Sequence, residues 1–154
     1  MNQLLPKCAL VTGAAKRLGQ AIALGLAEAG WDIAVHYRES ASEARATVDQ
    51  IRALGRAAVA LQCDLASEAE TRQLLPRAIE QLGAISCVVN SASLFDYDDA
   101  HSFNQAQLDA HMHTNLAAPV LLAQSLHAAT PDDTQAVVIN LLDQKLFNLN
   151  PDFL

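Results

Sequence analysis

The sequence predicts an α/β protein built on a parallel sheet, and three observations carry that expectation. Short apolar runs alternate with longer stretches of helical periodicity along the chain. The runs are nearly continuous in Val, Ile, Ala and Leu, as strands covered on both faces require. Glycines and capping residues stand at many of the junctions. The 154 residues give room for one domain with a sizeable core; hydrophobics make up 51% and aromatics only 5%, so aliphatic side chains must fill that core.

The first run, Cys8 to Val11, meets a small-residue turn, Thr12 to Ala15, and passes into a helix with Ile22, Leu24 and Leu26 among alanines. Gly13 and Gly19 allow a sharp turn and a close strand–helix approach, which leaves free N–H groups at the helix start for an anion such as a nucleotide pyrophosphate. Their spacing is not that of the GxGxxG fingerprint, and the same residues also suit a strand-to-helix turn with no ligand. Gly30 stops the helix and Trp31 to Tyr37 is the second strand, with Arg38 at its carboxyl end. Ser40 and Glu43 have capping-box spacing before a helix carrying Val48, Ile51 and Leu54, closed by Gly55.

Ala57 to Gln62 reads as the third strand, ended by Cys63-Asp64-Leu65. Ser67 and Glu70 open a second capped helix, with Leu74, Leu75, Ala78, Ile79 and Leu82 on one side and Gly83 at its end. Ile85 to Asn90 is the fourth strand. The polar segment from Ser91 to Asn104 is long enough for a functional rim, and its acids, Asp96, Asp98 and Asp99, are either solvated or ligands for a divalent cation. Leu108 to Ala128 is expected as one long helix and Ala136 to Leu142 as the fifth strand. Within that helix Pro119 has no N–H for the carbonyl of Asn115; the freed acceptor either holds a water or marks an ordinary kink.

A formal charge of −7 argues against general nucleic-acid or membrane-surface binding, while leaving room for a few basic groups around one phosphate site. No apolar run approaches a membrane span, and the start runs into the first strand without a cleavable signal, so a cytoplasmic protein is expected. Cys8, Cys63 and Cys87 are an odd count without CxxC, which suits reduced, buried thiols. The five histidines show no metal pattern; His111 and His113, two apart on a helix, point to different faces.

Taken together, T12-G13-A14-A15-K16-R17-L18-G19, H36-Y37-R38, C63-D64-L65, N90-S91-A92-S93, N115 and N140-L141-L142-D143 resemble the short-chain dehydrogenase/reductase family, in the same order and over essentially the whole chain. Arg17 and Asp143 make the sequence most similar to its pteridine reductase and dihydromonapterin reductase members. The resemblance implies a Rossmann-type doubly wound sheet of order 3-2-1-4-5, lacking the family's C-terminal strands, with a dinucleotide at the switch point. It implies NADPH as cofactor, with Gly13, Lys16, Arg17, Leu18 and Gly19 at the pyrophosphate end, and His36, Tyr37 and Arg38 at the second strand's end. The Arg38 guanidinium would pair the 2′-phosphate, unless it is spent on Glu39 or Glu43.

By the same resemblance Asp64 and Leu65 edge the adenine, and Asn90, Ser91, Ala92 and Ser93 line the nicotinamide ribose, Ser91 departing from the commoner Asn-Asn-Ala. Phe95 either stacks on a pterin, with Arg17 alongside, or is a plain rim aromatic. Asn115 and Asp143 match catalytic positions. The family's Tyr-x-x-x-Lys pair does not occur: Tyr37 and Tyr97 are followed four residues on by Ala41 and His101. These 154 residues thus read as the cofactor-binding half and substrate rim of a homotetrameric NADPH-dependent reductase that transfers hydride to a dihydropterin, inactive alone and with an uncovered fifth strand. The alternatives are a truncated nucleotide-binding module, or pseudoenzyme, and a carbonyl reductase of the same family.

Overall fold

The computed structural model describes residues 6–97, 99 and 101–143. Asp98 lies outside them. Five parallel strands, β1 (Cys8–Val11), β2 (Asp32–Tyr37), β3 (Ala58–Gln62), β4 (Cys87–Asn90) and β5 (Val137–Asn140), form one sheet in the order β3-β2-β1-β4-β5. The order is the one the resemblance implies; β1 coincides with its apolar run, and the other four strands are shorter than theirs.

Strand alternation divides the core between two faces. Cys8, Leu10, Leu61 and Val88 pack with Leu74, Leu75 and Ala78 of α3 (Glu68–Leu82) and Leu122 and Leu126 of α5 (Ala118–Ala129). Ala9, Val11, Ile33, Val35 and Val89 pack with Ala23 and Ala27 of α1 (Arg17–Glu28) and Val48 and Ile51 of α2 (Ala41–Ala53). Cys8, Cys63 and Cys87 are buried free thiols. Burial pushes Cys8 and Cys63 up to about 11, so neither is a thiolate near neutrality.

Two local expectations are corrected. The Ser40–Glu43 box does not form: the Ser40 side chain makes no cap bond, and the Glu43 carboxylate instead accepts from Lys16 Nζ at 2.8 Å and Ser42 Oγ at 2.8 Å. The ammonium of Lys16 foremost, then the Ser42 hydroxyl, holds Glu43 down at about 2. At α3, Ser67 Oγ does accept from the Glu70 N–H at 3.3 Å, while the Glu70 carboxylate reaches past the cap to the Asp64 N–H at 2.8 Å. The long helix is also not uniform. It runs as α4 (Gln105–Met112), a π-helical turn (His113–Ala117) in which the Ala118 N–H bonds the His113 carbonyl, and α5, which takes Pro119 in its first turn.

β5 is one of the two edge strands, with Val137 53% and Ile139 46% exposed. At the other end of the sheet His36, only 2% exposed, ties three segments together. Its Nδ1 accepts from the Gly13 N–H at 3.0 Å, its carbonyl accepts from the Ala14 N–H at 2.9 Å, and its Nε2 lies 3.0 Å from the Cys63 carbonyl oxygen. An amide can only donate and a carbonyl only accept, so the proton belongs on Nε2.

Burial pushes His36 down to about 4, against the opposing pull of the Cys63 carbonyl. The unfolded chain takes up a proton near pH 6.5 that the folded protein refuses until about 4, so this group's stabilisation is complete above the unfolded value and is lost as pH falls through that window. The expected loss is roughly 3 kcal/mol. Urea midpoints measured from pH 7 to 4 should fall with a slope approaching one proton, and His36→Asn should flatten that slope above pH 5.

Candidate functional site

A cleft of about 480 Å³ opens along the carboxyl ends of β1, β2, β3 and β4. Its floor is made where β1 and β4 end. The Thr12 N–H donates to the Val89 carbonyl at 2.9 Å, and Thr12 Oγ1 accepts from the N–H groups of Ser91 and Ala92, each at 3.0 Å. Gly13 follows in the left-handed region at φ +64°, and a Cβ there would stand 3.0 Å from the Ala92 Cα. At Gly19 a Cβ would stand 2.2 Å from the Gly13 carbonyl oxygen. No side chain fits between the turn and the first turn of α1, which is why both positions are glycine.

α1 begins without a side-chain cap and without an acid in its first turn, so its leading amides and the positive end of its dipole face the cleft unneutralised. Arg17 opens the helix at φ +54°, a left-handed backbone costing a non-glycine residue roughly 1–2 kcal/mol. It lines the cleft, as do Lys16, Leu18 and Gly19. Tyr37, the last residue of β2, and Arg38, Glu39 and Ser40 beyond it also line the cleft. Arg38 Nε is 3.3 Å from the Glu39 carboxylate and half exposed, as is the Lys16–Glu43 pair. Exposed pairs of this kind contribute about 0–1 kcal/mol, so a polyanion can displace both carboxylates.

Of the residues singled out from sequence, Gly13, Lys16, Arg17, Leu18, Gly19, His36, Tyr37, Arg38, Asp64, Leu65, Ser91, Ala92 and Ser93 line this one cleft. Asn90 does not. It is 5% exposed, its Nδ2 donates to Asn140 Oδ1 at 2.8 Å, and its own Oδ1 has no partner among the described residues. The Asn115 side chain is committed as well: Oδ1 accepts from the Leu94 N–H and Nδ2 donates to the Leu94 carbonyl, both at 2.8 Å. Asn115 thereby holds the strand-exit loop by its backbone. Phe95, 64% exposed, and Asp143, also exposed, stand outside the cleft lining.

Leu94, from that loop, and Thr114, from the π-helical turn, line the cleft without having been foreseen. Neither carries a sequence signal of its own. Thr12 could have been found, since a hydroxyl at the carboxyl end of a central strand beside a glycine has few other partners. On the rim, His111 Nε2 accepts from the Asp96 N–H at 3.1 Å, which leaves Nδ1–H for the Gln107 carbonyl at 2.8 Å. Among the described residues no group of three or more His, Cys, Asp or Glu is placed to hold a metal ion.

Comparison with known proteins shows the family and the fold. The short chain dehydrogenase family model matches residues 7–144. A 3-oxoacyl-[acyl-carrier-protein] reductase FabG of Staphylococcus epidermidis is 31% identical over 135 residues, 88% of this chain and 55% of that protein. A 2-dehydro-3-deoxy-D-gluconate 5-dehydrogenase of Escherichia coli is 37% identical over 119 residues, 77% of this chain and 46% of that one. The chain thus spans about half the length of these curated relatives. Among solved structures, FolM alternative dihydrofolate reductase 1 from Brucella suis, in complex with NADP, superposes with a TM-score of 0.87 at 37% identity, covering 94% of this chain and 60% of that one.

The two glycines of α1 that differ in surroundings give a matched test. Gly19→Ala forces its methyl onto the Gly13 carbonyl and should cost about 1–3 kcal/mol by overpacking. Gly25→Ala, with nothing within 4 Å of the added Cβ, should stabilise by about 0.5–1 kcal/mol. Thermal unfolding of the two variants should therefore shift in opposite directions.

Proposed function

The chain belongs to the short-chain dehydrogenase family, and from that premise we propose that its cleft binds NADPH for hydride transfer to a dihydropterin. One observation carries the nucleotide reading: Arg17 and Arg38 line the same cleft as the uncapped start of α1. The fit is physical. The α1 amides suit a pyrophosphate, Arg38 past β2 suits a 2′-phosphate, and Asp64 and Leu65 lie where β3 ends to meet an adenine.

When bound, NADPH supplies the hydride; the chain's own residues hold and orient it. Thr12 and Gly13 set the distance between the two strand ends, and Ser91 to Ser93 form the wall for the nicotinamide ribose. Asn115 acts by fixing Leu94, and Asp143, following β5, is assigned to orient the substrate or a water. Phe95 and Arg17 are assigned to a flat heterocycle. The proton that the reduced atom needs would come from a Tyr-x-x-x-Lys pair, which these 154 residues do not contain, so hydride transfer by the chain alone is not expected.

The dihydropterin assignment is supported by Arg17, Asp143 and the likeness to the Brucella enzyme. A carbonyl substrate is the second reading, favoured by the names of the curated relatives and by Phe95 lying outside the cleft lining. Homo-oligomeric assembly is supported by an exposed stripe, Leu108, Met112, Leu116 and Val120, along α4, the π-helical turn and α5. No helix among the described residues is long and apolar enough to cross a membrane.

Arg38→Asp removes the cation and sets a carboxylate against the 2′-phosphate. The NADPH-over-NADH binding preference should fall about 100-fold, corresponding to a charged hydrogen bond worth roughly 1.5–3 kcal/mol. Equal preference in parent and variant would move selectivity to Lys16 or Arg17. For chemistry, the 154 residues joined to a segment carrying Tyr-x-x-x-Lys should oxidise NADPH with a dihydropterin; turnover with simple ketones alone would select the carbonyl reading.

A further inference from the structure

His36 is a lining residue of the cleft that is only 2% exposed, and both nitrogens of its imidazole are already committed to backbone groups. It is therefore not free to bond a ligand. Yet its Nδ1 holds the amide of Gly13, the residue whose carbonyl abuts Gly19 and whose backbone abuts Ala92. We propose that His36 is a positioning residue for the nucleotide: in its neutral Nε2–H form it fastens the Gly13 turn to β2 and to the end of β3 before any ligand arrives, and so raises nucleotide affinity without touching the nucleotide.

The geometry makes this tautomer obligatory. A proton on Nδ1 would face the Gly13 N–H, donor against donor, and a proton missing from Nε2 would leave the Cys63 carbonyl facing a lone pair. The turn would then have to shift, carrying the first amides of α1 with it. The charged groups that act on the ring are Arg77 of α3, which opposes its protonation, and Asp64 beyond β3, which favours it; the buried Cys63 thiol beside it stays neutral. Arg77 is held in place by its bond to the Gln62 carbonyl at 2.9 Å. Protonation of the ring thus works against the nucleotide.

The inference rests on the nucleotide reading above, and the tests separate the two. His36→Leu removes both bonds at similar volume, leaving the Gly13 N–H without its acceptor, and NADPH affinity should fall about 10-fold. His36→Asn keeps an acceptor near the Nδ1 position and should restore most of that affinity, although it lacks the bond to Cys63. A role confined to stability would lower the unfolding midpoint of both variants and leave the Kd of the folded protein unchanged, which would overturn the proposal. Nitrogen NMR of ligand-free parent protein gives a reading independent of any variant: His36 should be the Nε2–H tautomer with a protected Gly13 amide, and an Nδ1–H tautomer would also overturn it. Failure of the parent to bind NADPH at all would remove the nucleotide reading and this proposal together, whatever the tautomer.

Discussion

Between Gly13, Gly19 and Ala92 there is no room for a single additional carbon, and the shape of the cleft follows from that crowding. The turn after β1 is pressed from one side by the first turn of α1 and from the other by the loop after β4. Thr12 adds hydrogen bonds on the β4 side of that junction, to Val89, Ser91 and Ala92. Because a packed contact of this kind cannot relax gradually, the relative placement of the α1 amides and the Ser91–Ser93 wall is fixed by sterics more than by any ligand. Most of the cleft's other features are attached to this junction: Arg17 and Leu18 ride on the helix, and His36 braces the turn from the neighbouring strand.

The electrostatics of the cleft run against the charge of the molecule. A chain of net charge −7 gathers Lys16, Arg17 and Arg38 at one opening and places no acid in the first turn of α1. Glu39 and Glu43 screen two of those cations in the absence of a ligand. Such pairs are cheap to break in water, so they keep the cations solvated and oriented without closing the site to an anion.

Much of the fold could be read from sequence because strand period and helix period are both burial patterns, and burial is what the sheet enforces. The strand order followed from motif resemblance, since periodicity alone does not rank strands. The errors fall where side-chain partners compete. Ser40 and Glu43 have the spacing of a cap, but Lys16, brought in from another element, wins the carboxylate. Pro119 was read as a kink or a freed carbonyl within one helix; the chain resolves it with a widened turn just before the proline. In the site, residues on the turn and strand ends came together as read, because a parallel sheet delivers all such ends to one side. Asn90 is set apart from Ser91, Ala92 and Ser93: those three line the cleft, while its side-chain amide donates to Asn140.

The paired amide bonds between Asn115 and Leu94 join a helix to a loop as one rung of a ladder joins two rails. Since the rung sits where the helix is widened, and the apolar stripe with Leu116 and Val120 runs along the outside of that same stretch, the mouth of the cleft and the outer surface share a mechanical support. Pressure on that surface is borne by the same few atoms that hold the rim in place.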